Sequence, residues 1–126
     1  MKKRQTDLVE ALRKSWTRGT SYSPERWTEK NPAVGQCAVT ALIVQEELGG
    51  EIVRVAAVMS SECSEEHYYN LVDGEVFDAT REQFPSGTEM INEERVSRDY
   101  ILSFPSTVRR HELLLVRVAQ SGEVRR

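Results

Sequence analysis

The chain has 126 residues, room for one domain of ordinary size. Seventeen Lys and Arg against twenty Asp and Glu give a net charge of -3, without the basic surplus that a nucleic-acid groove needs, so no nucleic-acid partner is expected. At 39% apolar residues a modest core is feasible, burying roughly two-thirds of the unfolded surface. No apolar run is long enough to span a membrane. The basic start Lys2-Lys3-Arg4 leads into Gln5-Thr6-Asp7 rather than an apolar stretch, so a cytoplasmic protein without a secretory signal is expected.

Leu8, Leu12 and Trp16 recur every four residues behind Thr6-Asp7, a capping residue and a first-turn acid. This predicts an amphipathic helix over 6–18, ended by Gly19. Residues 21–32 are turn-rich, with one or two helical turns at Ser23-Pro24-Glu25, and read as an ordered loop. From Cys37 to Leu48, Val39, Leu42 and Ile43 keep the helical period until Gly49-Gly50 stops it. Cys37 therefore lies in a first helical turn. Residues 52–59 are apolar and β-rich apart from Arg54, which predicts a strand covered on at least one face. Residues 60–66 read as a polar loop holding Cys63. Then 67–72 and 75–79 flank Asp73-Gly74, the strongest short-range hairpin signal, with a two-residue type I′ turn. A helix is expected over 93–102. Val108, His111, Leu115 and Val118, behind Ser106-Thr107, predict a C-terminal amphipathic helix. No repeat or domain break interrupts 1–126, so the expectation is a single α+β domain, a nucleophile-type helix packed on a small antiparallel sheet with helices at both ends.

The two-residue turn fixes the hairpin register. Val72 then faces Glu75, Leu71 faces Val76, Tyr69 faces Asp78 and His67 faces Thr80. Opposed and alternate residues share a face, which puts His67 and Asp78 on the same side as diagonal neighbours about 7 to 8 Å apart at the backbone. An imidazole held by a carboxylate is an oriented base. The third member is Cys37, whose thiolate would be stabilised by the positive end of its helix dipole. Nucleophile, base and orienter in that chain order suit cysteine-dependent acyl transfer.

The strings Asn31-Pro32-Ala33-Val34-Gly35-Gln36-Cys37-Ala38-Val39-Thr40-Ala41-Leu42, His67-Tyr68-Tyr69-Asn70 and Asp78-Ala79-Thr80-Arg81-Glu82-Gln83-Phe84 closely resemble the bacterial YunG-like family. Its Cys, His, Asp order is similar to that of the papain-like and transglutaminase-like superfamily. The resemblance implies a nucleophile helix on an antiparallel sheet, with Cys37, His67 and Asp78 as the triad. Papain-like enzymes place a Gln about six residues before the nucleophile; here Gln36 is adjacent and Asn31 holds the earlier position. Asn31, Gln36 or helix-start N–H groups are thus the expected oxyanion donors. Ala38 replaces the usual aromatic after the nucleophile, and the short chain argues against an extended peptide cleft.

Each of these residues also has a plainer reading. Cys37 suits a buried helix face, His67 a strand start bonded to a carbonyl, and Asp78 a turn cap. Thr80 and Gln83 are expected to be structural, Cys63 an incidental exposed thiol, and His111 a core residue. Arg109-Arg110 and Arg125-Arg126 read as solvated charges. Trp27, Tyr68 and Tyr69 are the candidate substrate-binding aromatics, for a small molecule or peptide. Two rivals share these residues: a non-catalytic ligand-binding module, and a zinc site from Cys37, Cys63, His67 and Asp78, whose spacing matches no tight zinc motif. Neither a phosphate cradle nor a dinucleotide fingerprint occurs, so no cofactor is expected.

Overall fold

The computed structural model describes residues 2–122. Its order is α1 (Lys3–Ser15), a 3-10 turn (Arg18–Thr20), α2 (Cys37–Leu48), β1 (Glu51–Ser60), β2 (Cys63–Val72), β3 (Glu75–Phe77), a second 3-10 turn (Arg81–Gln83), β4 (Glu89–Val96), α3 (Arg98–Leu102) and α4 (Pro105–Gln120). The four strands form one antiparallel sheet in the order β3-β2-β1-β4. The class is α+β, as expected.

Alternation along β1 and β2 serves two faces. Ile52 and Tyr68 pack with Ala41, Leu42 and Ile101 of the helices. Val53, Val55 and Tyr69 form a separate cluster. The largest cluster is helical: Leu8, Leu12 and Trp16 from the N-terminal segment meet Val39, Ile43 and Val44 of α2 and Leu114 and Val118 of α4, with Val72 reaching in from β2. Six of these side chains at about 1.5–3 kcal/mol each already outweigh any propensity or capping effect in holding α2 against its neighbours.

Three expectations need correction. The first helix starts at Lys3 and ends at Ser15, with Thr6 inside it, because the buried stripe Leu8, Ala11, Leu12, Ser15 sets its extent rather than the Thr6 cap. Cys63 is in β2 and not in a loop, since only a tight turn separates it from Ser60, its partner in the ladder. Residues 93–96 belong to β4, leaving only Arg98–Leu102 helical. Three residues of β4 span the step that two take on β1, between the pairs Arg54–Glu94 and Ala56–Ile91, and Asn92 there has φ 59°. This bulge breaks the two-residue alternation and hides the strand from a period-based reading.

Candidate active site

The hairpin has the register its turn dictates, with Val72 opposite Glu75, Leu71 opposite Val76 and Asn70 opposite Phe77. Pairing stops at Phe77, so Asp78 leaves the sheet as the chain turns. Its Oδ1 accepts from the Thr80 N–H at 3.3 Å, which fixes the carboxylate and leaves Oδ2 at 2.8 Å from His67 Nε2. The ring is fully buried, with Phe84 edge-on at 4.9 Å and Tyr69 at 6.3 Å between centroids. A carboxylate can only accept, so Nε2 carries the proton it donates. Nδ1 is then the nitrogen left without a partner on Asp78. It is buried and closes no hydrogen bond.

The group beside this ring is the half-buried thiol of Cys37. Burial is the largest influence on His67 and pulls its pKa down, but the hydrogen bond with Asp78 and then the nearness of Cys37, with the charges of both, prevail and raise it to about 9. The imidazole is therefore a cation at neutral pH. The sequence-predicted trio thus comes together from α2, β2 and the segment after β3.

Cys37 opens onto a cleft of about 440 Å³, within the range of small-molecule sites. One wall is Glu65, Glu66 and Tyr68 from β2; another is Ile101, Phe104, Ser106 and Thr107 around the start of α4; the rest comes from Tyr22, Arg26, Ala38, Gln83 and their neighbours. Tyr68 donates to Glu66 at 2.7 Å; its burial, then that bond, push its phenol well above the ordinary range.

Other sequence candidates lie elsewhere. Gln36 is fully buried, its amide donating to Thr17 O at 3.0 Å and accepting from Thr20 Oγ1 at 2.8 Å. It anchors the start of α2 to the first 3-10 turn and does not face the cleft. Asn31 closes a turn on Thr28 through its backbone N–H. Trp27 donates from its indole to Pro32 O at 3.0 Å under Arg18. Neither Asn31 nor Trp27 is in the cleft wall. Tyr69 donates to Glu93 at 2.9 Å and packs behind His67, burial and Glu93 raising its phenol to about 12.

Arg110 requires a correction. It is not a solvated charge but 7% exposed, on the face of α4 formed by Thr107, Arg110, His111, Leu114 and Val118. The helical stripe read from Val108 and Leu115 was turned by one residue, which put Arg110 on the wrong side. Centring on Leu114 would have found it. Arg125 and Arg126 lie outside the described residues. Cys63 is exposed, its thiol 4.0 Å from the Met59 sulfur. Among the described residues no three His, Cys, Asp or Glu side chains are grouped to hold a metal, and no helix is long and apolar enough to cross a membrane.

Comparison with known proteins bears on lineage. The family described as YunG protein matches residues 4–123. The protein named "Uncharacterized protein YunG" of Bacillus subtilis (strain 168) is 41% identical over 78 residues, a stretch covering 62% of this chain and 61% of that relative. The matched stretch is thus under two-thirds of the relative's length. No solved structure matches the chain.

Proposed function

We propose that this chain, which belongs to the YunG family, is a cysteine-dependent acyl-transfer enzyme or hydrolase acting on an amide, ester or thioester, with Cys37, His67 and Asp78 as its triad. The observation that carries this is the division of labour on one imidazole: Nε2 is bound to Asp78 Oδ2 at 2.8 Å, and the ring also interacts with the thiol of Cys37. A helix presenting the thiol and an antiparallel sheet supplying the imidazole support a papain-like or transglutaminase-like arrangement.

In the mechanism the Cys37 thiolate attacks the substrate carbonyl carbon, forming a C–S bond and a tetrahedral oxyanion. The imidazolium of His67 gives its Nδ1 proton to the leaving nitrogen, oxygen or sulfur as that bond breaks, leaving a thioester. His67, now neutral, takes a proton from water or an acceptor that attacks the thioester, and the C–S bond breaks to return the thiolate. Asp78 holds the tautomer throughout. With the Gln36 amide occupied, the oxyanion donors fall to the first-turn N–H groups of α2, which have no partner within the helix. The cleft admits a small substrate or one side chain rather than a long peptide.

The test is iodoacetamide labelling at pH 6 mapped by mass spectrometry, followed by acyl electrophile probes. Cys37 is expected to label far faster than the exposed Cys63, and His67→Ala to abolish the difference. Equal, slow labelling of both thiols in both proteins sinks the reading. A small molecule that raised the melting temperature without any probe reaching Cys37 would then favour non-catalytic ligand binding.

A further inference from the structure

Arg110 is 7% exposed, yet both of its hydrogen bonds go to neutral oxygens, the Thr20 carbonyl at 3.5 Å and Thr107 Oγ1 at 3.1 Å. Tyr22 covers it, with the guanidinium carbon 5.5 Å from the ring centroid. No carboxylate among the described residues pairs with it. A buried guanidinium without a countercharge is costly, so such a residue needs an anion nearby. The groups that hold Arg110, Tyr22 and Thr107, line the cleft together with Cys37. Burial is the main influence that lowers the Arg110 pKa, and the charge of Cys37 opposes it.

Charge balance then assigns a role. The groups facing Cys37 are His67 and Tyr68 from β2, Arg110 from α4, and across the cleft Tyr22, Arg26, Glu65 and Glu66. Arg26 is matched by Glu65 at 3.1 Å, and Glu66 accepts from Tyr68. A cationic His67 is cancelled by Asp78, whose side chain is 9% exposed. If Cys37 is also ionised, these three carry one net negative charge at the edge of the cleft. Arg110 brings the sum to zero.

We propose that Arg110 is a positioning residue for the acyl-transfer reaction, the buried countercharge that keeps Cys37 a thiolate while His67 stays paired with Asp78. Without it, the charge-neutral state of the trio is the protonated thiol, which does not attack. The inference rests on the acyl-transfer reading and deepens it.

The experiment is the pH–rate profile for alkylation of Cys37 by iodoacetamide, site-resolved by mass spectrometry, with circular dichroism to confirm folding. Arg110→Gln keeps donors for Thr20 and Thr107 and removes the charge. Its profile is expected to move to higher pH by about one unit, roughly tenfold slower reaction at pH 6, and Arg110→Lys to recover most of that loss. Should the glutamine variant not fold, Tyr22→Leu, in a residue 73% exposed, admits water to the guanidinium and is expected to shift the profile the same way by less. An unshifted profile in the folded variants overturns the proposal, as does a lysine variant shifted as far as the glutamine one, which would make shape rather than charge the cause. A wild-type Cys37 that reacts no faster than Cys63 fails the acyl-transfer reading itself, an outcome separate from these.

Discussion

His67 is useful because its two nitrogens face different partners, and the proton on Nε2 is set by what Asp78 can accept. Asp78→Asn preserves the shape but offers an amide, whose NH₂ favours the opposite tautomer. The rate of Cys37 alkylation at pH 6 is expected to drop by at least about tenfold, with folding retained. The same pair ties stability to pH. His67 has an ordinary pKa of 6.5 and is raised to about 9 in the folded protein, so its contribution is complete below pH 6.5 and is lost as pH rises through about 9. The size is on the order of 3 kcal/mol. Thermal melts from pH 6 to pH 10 are therefore expected to show a falling alkaline limb that is much flatter in Asp78→Asn; parallel limbs in the two proteins would contradict it.

Among the elements, the turn from α2 into β1 tolerates little. Gly50 has φ 84°, and a Cβ there would overlap the carbonyl oxygen of Leu71 on the neighbouring strand; Gly49, at φ 76°, has open space around it. Gly50→Ala is expected to cost about 2–4 kcal/mol and Gly49→Ala about 1 kcal/mol in urea unfolding. If the two cost the same, backbone strain alone governs both. This level also shows what a sequence can disclose. The register of β2 and β3 was legible because a two-residue turn leaves no freedom in pairing, and so was the closeness of His67 to Asp78, although β3 ends at Phe77 and the expected pairs Tyr69–Asp78 and His67–Thr80 do not form. β4 was not, since a bulge at Asn92 cancels the periodicity that identifies strands. The cleft was not legible either, because its walls come from separated segments, and Trp27, though close to Cys37 in sequence, turns to Pro32 instead. Arg110 was missed by a rotation of one residue on α4.

At the scale of the molecule, three helices are joined by one carboxylate. Glu46 of α2 meets His111 of α4 at 2.7 Å and Arg98 of α3 at 2.8 Å. Partial burial is the largest influence on Glu46 and raises its pKa, but the bonds from His111 and Arg98 win and the net shift is downward. Its contribution to stability is present above the ordinary value of 4.5 and disappears as pH falls through the lowered value. Glu46→Gln is thus expected to melt about 5 °C lower than wild type at pH 7 and to approach it as pH falls below the ordinary carboxylate range; a constant difference throughout would show that charge is not the cause.

The placement of α4 also has a bearing on the order of folding. The His67–Asp78 pair is separated by a short hairpin, a unit that closes in about 1–10 μs. The helical cluster joins Leu8 to Val118, and contacts so distant in sequence form late because a long loop must close first. Thr107 and Arg110 arrive only with that closure. A chain emerging from the ribosome without α4 therefore has its imidazole and carboxylate but neither this wall of the cleft nor its buried guanidinium.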